Sequence, residues 1–194
     1  MKRTVVGVGY NYGSKYARYT PQGKSVAYRV WQNMLIRCYD TTKHIKHPTY
    51  KGCTVHPDWH NFQNFAEWYH SQKNTGKGFE LDKDLIVVGN KVYRPEACSM
   101  IPTTINTLLL GCNSNRGSLP IGVTYDKSKR KYQSRLSKHG KICRLGLFSN
   151  PSDAFWVYKT EKEKHIKYMA NMHKDLLPMA VYKNLMEWSV KESG

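Results

Sequence analysis

The sequence predicts an α+β protein: a small helix-rich unit, then a three-stranded antiparallel sheet packed on one helix. Three observations carry that expectation. Between Val26 and Tyr39 the residues Val30, Trp31, Met34, Leu35 and Cys38 recur at the three- and four-residue steps of an amphipathic helix. Between Ile121 and Phe148, three short alternating runs are separated by polar turns, the pattern of a meander. Asn150-Pro151-Ser152-Asp153 then opens a long helix. Asn150 suits the N-cap, Pro151 the first helical position and Asp153 the positive end of the helix dipole.

Residues 1–24 form a basic arm rich in Tyr and Gly, expected to be flexible or wrapped on the surface. Residues 25–111 make the first folded unit. After the Val26–Tyr39 helix, Thr41 to Lys51 reads as a polar loop and Gly52-Cys53-Thr54-Val55 as a short strand. A second helix follows, capped by Asp58, with Trp59, Phe62, Phe65, Ala66 and Tyr69 on its buried face. Phe79 to Val88 reads as extended, Gly89-Asn90-Lys91 as a turn, and Thr103 to Leu110 as a closing helix. The Asn, Ser and Gly content of residues 112–120 marks a linker.

Residues 121–173 hold the meander and its helix. The strands are expected over Ile121–Asp126, Lys131–Ser137 and Lys141–Phe148. Ala154, Phe155, Tyr158, Ile166, Met169 and Ala170 line the buried face of the helix, and Lys159, Lys162, Glu163 and Lys167 its solvated face. Residues 174–194 form an amphipathic tail, helical over about Met179 to Val190, that covers an edge or a partner.

Charge speaks to partners. The 194 residues carry 31 Lys and Arg against 14 Asp and Glu, a formal net charge of +17. So unbalanced a surface attracts polyanions, nucleic acid before an anionic membrane. Aromatic residues make up 12% of the chain, too many for a disordered basic tail. No stretch approaches the roughly 20 apolar residues of a membrane-spanning helix. The start, Met1-Lys2-Arg3 before Thr4-Val5-Val6-Gly7, lacks a signal-peptide core, so a cytoplasmic protein is expected. Five scattered cysteines, Cys38, Cys53, Cys98, Cys112 and Cys143, fit reduced thiols.

A three-stranded sheet backed by one helix keeps one face open. Alternation along the second strand puts Lys131, Gln133, Arg135 and Ser137 on that face and Tyr132, Ser134 and Leu136 on the other. Arg144 interrupts the apolar third strand and is expected to point outward too, with Lys129 and Arg130 at the rim. A narrow twisted sheet can enter the major groove, where arginine reads guanine and glutamine reads adenine. The expected partner is double-stranded DNA.

Ile121-Gly122-Val123-Thr124-Tyr125, Lys131-Tyr132, Arg144-Leu145-Gly146-Leu147-Phe148, Ala154-Phe155 and Tyr158 together resemble the Apetala-type DNA-binding domain over residues 119–172. That resemblance implies a sheet reading the major groove, with Thr124, Gln133, Arg135, Ser137 and Arg144 outward. Tyr132 and Arg144 stand where plant members carry tryptophan.

Residues 28–107 resemble the HNH-type nucleases that accompany such modules in phage and bacteria. The residues that carry this are Trp31-Gln32-Asn33-Met34, Arg37-Cys38-Tyr39, Trp59, Phe62, Phe65, Leu81-Asp82-Lys83-Asp84, Tyr93-Arg94-Pro95-Glu96-Ala97-Cys98 and Ile105-Asn106. The resemblance implies a compact ββα site, metal-dependent phosphodiester hydrolysis and a homing-like DNA endonuclease. Asp82 and Asp84 would hold a divalent Mg or Mn ion, and Asn90 would be the mid-motif asparagine. Lys83 stands at the position of the histidine base, and a protonated lysine is a poor base. His56 or His60 would have to take its place. Cys53, His56 and His60, with Cys38 or Cys98, have a spacing compatible with structural zinc. The alternatives are a DNA-binding protein on a nuclease scaffold that has lost its base, or an inhibitor or adaptor that binds protein through the aromatic N-terminal surface.

Overall fold

The computed structural model describes residues 5–109 and 118–192 and is a mixed helix-and-sheet, α+β protein. The chain divides into two compact units, Met1–Asn106 and Thr107–Gly194. Most of the expected linker, Cys112 and the end of the expected Thr103–Leu110 helix lie outside the described residues. Among the described residues no helix is long and apolar enough to cross a membrane.

The first unit is built on helix α1 (Val26–Tyr39) and helix α3 (Phe62–Ser71). Their facing stripes meet in an aromatic core of Trp31, Trp59, Phe62, Phe65 and Tyr69, all buried. The Trp31 indole N–H donates to the Trp59 carbonyl at 2.6 Å, so the core's largest polar atom is satisfied. The N-terminal arm wraps this core. Gly9 lies so close to it that a Cβ there would sit 2.5 Å from Leu35 Cδ1 and 2.9 Å from Trp31 Cη2. Two buried amides clasp the arm: Asn61 Oδ1 accepts the Tyr12 N–H at 3.0 Å, and Gln63 Oε1 the Tyr16 N–H at 2.8 Å. The arm continues into a hairpin of β1 (Tyr19–Thr20) and β2 (Gly23–Lys24).

Three elements of this unit depart from the sequence expectation. Residues 41–51 are not a loop: helix α2 (Thr41–Lys46) and a 3-10 turn (Pro48–Tyr50) form there without burying a residue. The second helix begins at its cap Asn61, not Asp58, because Pro57–His60 is a separate 3-10 turn. The extended run stops at Asp82. Strand β3 (Thr54–Val55) pairs parallel with β5 (Val92–Tyr93), and β4 (Phe79–Asp82) pairs antiparallel with β6 (Ser99–Pro102). Helix α4 (Thr103–Leu108) follows.

The second unit is a meander of β7 (Val123–Asp126), β8 (Lys131–Lys138) and β9 (Lys141–Phe148), in that spatial order. Helix α5 (Pro151–Met172) covers one face through Ala154, Phe155, Tyr158, Ile166 and Met169. Asn150 Oδ1 accepts the Asp153 N–H at 2.8 Å while its Nδ2 donates to Asp153 Oδ2 at 2.6 Å, a reciprocal cap. Gly122 lies under this helix at φ 78°, and a Cβ there would fall 2.1 Å from Tyr158 Cδ2.

Part of the expected solvated face of α5 is occupied. Lys159 ion-pairs with Glu163 at 2.5 Å and donates to the Val190 carbonyl at 2.9 Å, and Glu163 accepts the Val190 N–H at 2.8 Å. This pair binds the tail, whose helix α6 (Met179–Met186) buries Val181 and Leu185.

Candidate functional site

The open face of the sheet is set by strand register. Thr124 pairs with Gln133, and Gln133 in turn with Leu147, so these side chains share one side. Arg135 pairs directly with Arg144, and Ser137 with Ile142, on the same side. The other side carries Val123, Ser134 and Leu136, all buried. The period-2 assignment of Lys131, Gln133, Arg135 and Ser137, and the outward placing of Arg144 as a break in an apolar strand, agree with this register.

A bulge at Ser134/Arg135 adds a residue to β9. It brings Leu147, rather than Gly146, beside Gln133. Leu147 and the exposed Ile142 were missed as face residues. Counting by twos back from Arg144 would have found Ile142, but no sequence signal marks the bulge.

The arginines are only partly held. Arg135 Nη2 donates to Thr124 Oγ1 at 2.7 Å, which aims the guanidinium along the face. Among the described residues no carboxylate ion-pairs with Arg135 or Arg144. Like charges directly opposite each other on paired strands repel. At the rim, Lys129 and Arg130 ride on a turn fixed by Asp126, whose Oδ1 accepts from Ser128 N–H at 3.0 Å, Ser128 Oγ at 2.6 Å and Lys129 N–H at 3.1 Å. Those hydrogen bonds hold the Asp126 carboxyl below its ordinary range. Lys131, paired with Asp126, is exposed at the strand start.

The second candidate site is the segment from Asp82 to Asn90. Asp82 is 8% exposed and turns the chain back on itself: its Oδ1 accepts the Asp84 N–H at 3.1 Å and the Leu85 N–H at 2.7 Å. That local capping ends the strand, which is why residues 83–88 are not extended. Burial, and then the charge of Asp84, push the Asp82 carboxyl up to about 7.

Lys83 is the counter-charge. Its ammonium, with a side chain 9% exposed, donates to Asp84 Oδ2 at 2.8 Å and to the Asn90 carbonyl at 3.0 Å, and lies 6.0 Å from the centre of the Tyr93 ring. Burial works against the ammonium. Asp84 above all, with Cys53 and Asp82, outweighs burial and holds the lysine above its ordinary pKa. Lys83 is therefore a fixed cation with no proton-accepting capacity near neutral pH.

Asn90 staples the loop. Its Nδ2 donates to the Lys83 carbonyl at 2.6 Å and the Val92 carbonyl at 2.7 Å, and its Oδ1 accepts the Val92 N–H at 3.1 Å. The asparagine is thus engaged with the backbone through both ends of its amide.

The histidines turn elsewhere. His56 is exposed, its Nδ1 accepting the Asp58 N–H at 3.4 Å and lying 3.6 Å from Asp58 Oδ2. His60 Nε2 is 3.4 Å from the Tyr39 hydroxyl, which accepts the Val55 N–H at 2.9 Å. The contacts described for His56 and His60 are thus with Asp58 and Tyr39. Cys38, Cys53 and Cys98 are buried in the core, and burial pushes the Cys38 and Cys98 thiols up to about 12. Among the described residues no three His, Cys, Asp or Glu side chains converge as a metal-holding group, so the zinc set is not brought together. For a Mg or Mn ion the donors would be Asp82 and Asp84. Lys83 already neutralises Asp84, and a divalent cation would have to displace that ammonium. The donor set does not fit a resident ion, and no chemical step follows from one.

Trp31, Trp59, Phe62 and Phe65 fill the core, as their helical spacing leads one to expect.

No family model matches the chain, and neither does any curated protein or solved structure.

Proposed function

We propose that this protein binds double-stranded DNA through the open face of the β7–β9 sheet, in the manner of an Apetala-type domain. The observation that carries this is the cross-strand pair Arg135–Arg144, held side by side with no ion-paired carboxylate among the described residues. A fold gains nothing from that juxtaposition, whereas a phosphate backbone neutralises both charges and a guanine edge accepts their hydrogen bonds. Thr124 orients one guanidinium, Gln133 adds an amide beside it, and Lys129, Arg130 and Lys131 supply phosphate contacts at the rim. A twisted three-stranded sheet with one face free has the width to enter a major groove.

The first unit is, in this account, a nuclease-like scaffold of the HNH kind without its general base. Supporting this is the ammonium of Lys83, locked protonated between Asp84 and the Asn90 carbonyl at the position where a base is needed. DNA binding without strand cleavage is the activity this geometry favours.

Replacing both Arg135 and Arg144 by alanine tests the interface in a duplex-binding titration run at several salt concentrations. Affinity is expected to fall about 100-fold, with the slope of log K against log salt shallower by about 2, because roughly one counterion is released per phosphate neutralised. Unchanged affinity would remove the sheet face from the binding surface. A plasmid-nicking assay with Mg or Mn tests the other half. Intact plasmid is expected; nicking that disappears in Asp82→Ala would establish a metal nuclease instead.

A further inference from the structure

We propose that the Thr41–Lys51 protrusion of the first unit is a second duplex-DNA contact, in which its lysines hold phosphates and Ile45 is an apolar wedge directed at the minor groove. The inference rests on the DNA-binding reading above but on different residues in a different unit.

The segment carries Lys43, Lys46 and Lys51, with His44 and His47, and no acidic residue. The neighbouring Asp40 is committed as the cap of α2, its Oδ1 accepting the Thr42 N–H at 2.9 Å and the Thr42 hydroxyl at 2.7 Å. A six-residue helix that buries nothing is too short to be stable by itself. Fastenings to the rest of the unit keep it formed. His44 Nε2 donates to the Arg37 carbonyl at 3.0 Å, and Lys91 Nζ reaches the Thr49 carbonyl at 2.8 Å. The protrusion is thus a built platform.

On that platform Ile45 is 83% exposed, the most exposed large apolar side chain among the described residues. Helix propensity does not ask for it, since a β-branched residue is a poorer helix former than lysine or alanine. Packing does not ask for it either, because it is left 83% exposed. A single exposed apolar side chain flanked in sequence by Lys43 and Lys46 suits a polyanion with an apolar interior. Wedge residues of this kind enter between base steps while flanking cations hold the backbone. An anionic membrane is the poorer match: an interfacial helix needs an apolar face of several residues, and α2 offers one.

The test uses the full chain and three variants, Lys43→Ala with Lys46→Ala, Ile45→Ala, and Arg135→Ala with Arg144→Ala. Duplex binding is followed by fluorescence anisotropy over a salt series, and DNA bending by energy transfer between the duplex ends. The lysine pair is expected to weaken binding about tenfold and to reduce the salt slope by about 2. Ile45→Ala is expected to leave the slope unchanged, weaken binding several-fold and reduce the bend. None of these side chains is buried, so the fold is not at stake. Wild-type affinity and slope in the lysine variant would overturn the contact, and wild-type affinity and bend in Ile45→Ala would overturn the wedge. So would loss of binding to phosphatidylserine vesicles in Ile45→Ala with DNA binding intact. Loss of DNA binding in the lysine variant but not in the arginine variant would refute the sheet face while sustaining this contact; the converse would do the opposite.

Discussion

The two units handle buried and exposed charge in opposite ways. In the first, a charged loop is turned inward: Asp82 caps its own turn, Lys83 is clamped by Asp84, and Asn90 is consumed by backbone. In the second, the charge is turned outward, where Arg135 has a threonine for company and Arg144 stands exposed opposite it. The contrast teaches where to look for function. Polar groups that satisfy one another stabilise a fold, and groups kept near one another without compensation await something else. By that criterion the residues with the nuclease-like pattern serve structure, and the sheet is the place to which the proposed recognition belongs.

The sharpest way to break the comparison is to damage one unit alone. Gly122→Ala places a methyl 2.1 Å from Tyr158 Cδ2 at a backbone φ of 78°, where an L side chain is already strained. A destabilisation of about 3 kcal/mol is expected. Hydrogen exchange should show protection lost across β7–β9 and retained in α1 and α3. Equal loss in both would mean the units do not hold their cores separately.

Much of this contrast was open to reading in the residues, and the reasons for the gaps are physical. The α1 stripe and the Asn150-Pro151 helix start are written in local spacing and capping chemistry, and the alternation of β8 names Gln133 and Arg135 correctly. What escaped depends on contacts distant in the chain or on side chains bonding their own backbone. Residues 83–88 look extended by composition, but the Asp82 carboxylate bends them. Helix α2 has no apolar period to detect, since it buries nothing. Lys159 and Glu163 look solvated until the tail arrives to use them. Of the proposed catalytic set, spacing alone could not show that Asn90 and both histidines are engaged elsewhere.

The next effect is a pH dependence of opposite sign in the two units. Asp82 has a folded pKa of about 7, above the ordinary carboxylate value, so the folded state binds the proton more tightly than the unfolded chain. Its contribution is full in acid and is lost as pH rises through about 7. Relative to Asp82→Asn, the wild type should therefore lose on the order of 2–4 kcal/mol between about pH 4 and pH 8. A difference independent of pH would show that the carboxyl is not raised.

The smallest effect belongs to His165, buried beneath the β8–β9 hairpin turn with its ring centre 5.3 Å from that of His139. Burial first, then His139, Lys138 and Lys162, lower its pKa, while Glu161 is taken up by Lys138 and Lys164. A lowered folded pKa gives stability that is present above the unfolded value and is lost as pH falls through the folded one. The hairpin should therefore loosen on mild acidification, and His165→Gln should flatten that response in amide exchange. An unaltered acid response in the variant would assign it to other groups.

The most direct measurement is an amide shift map of the full chain titrated with duplex DNA. The account predicts that the largest changes fall at Thr124, Gln133, Arg135, Ser137 and Arg144 and at the Lys129–Lys131 turn, with the α5 residues facing the sheet little affected. Shifts that spare β8 and β9 while DNA is bound elsewhere would contradict it.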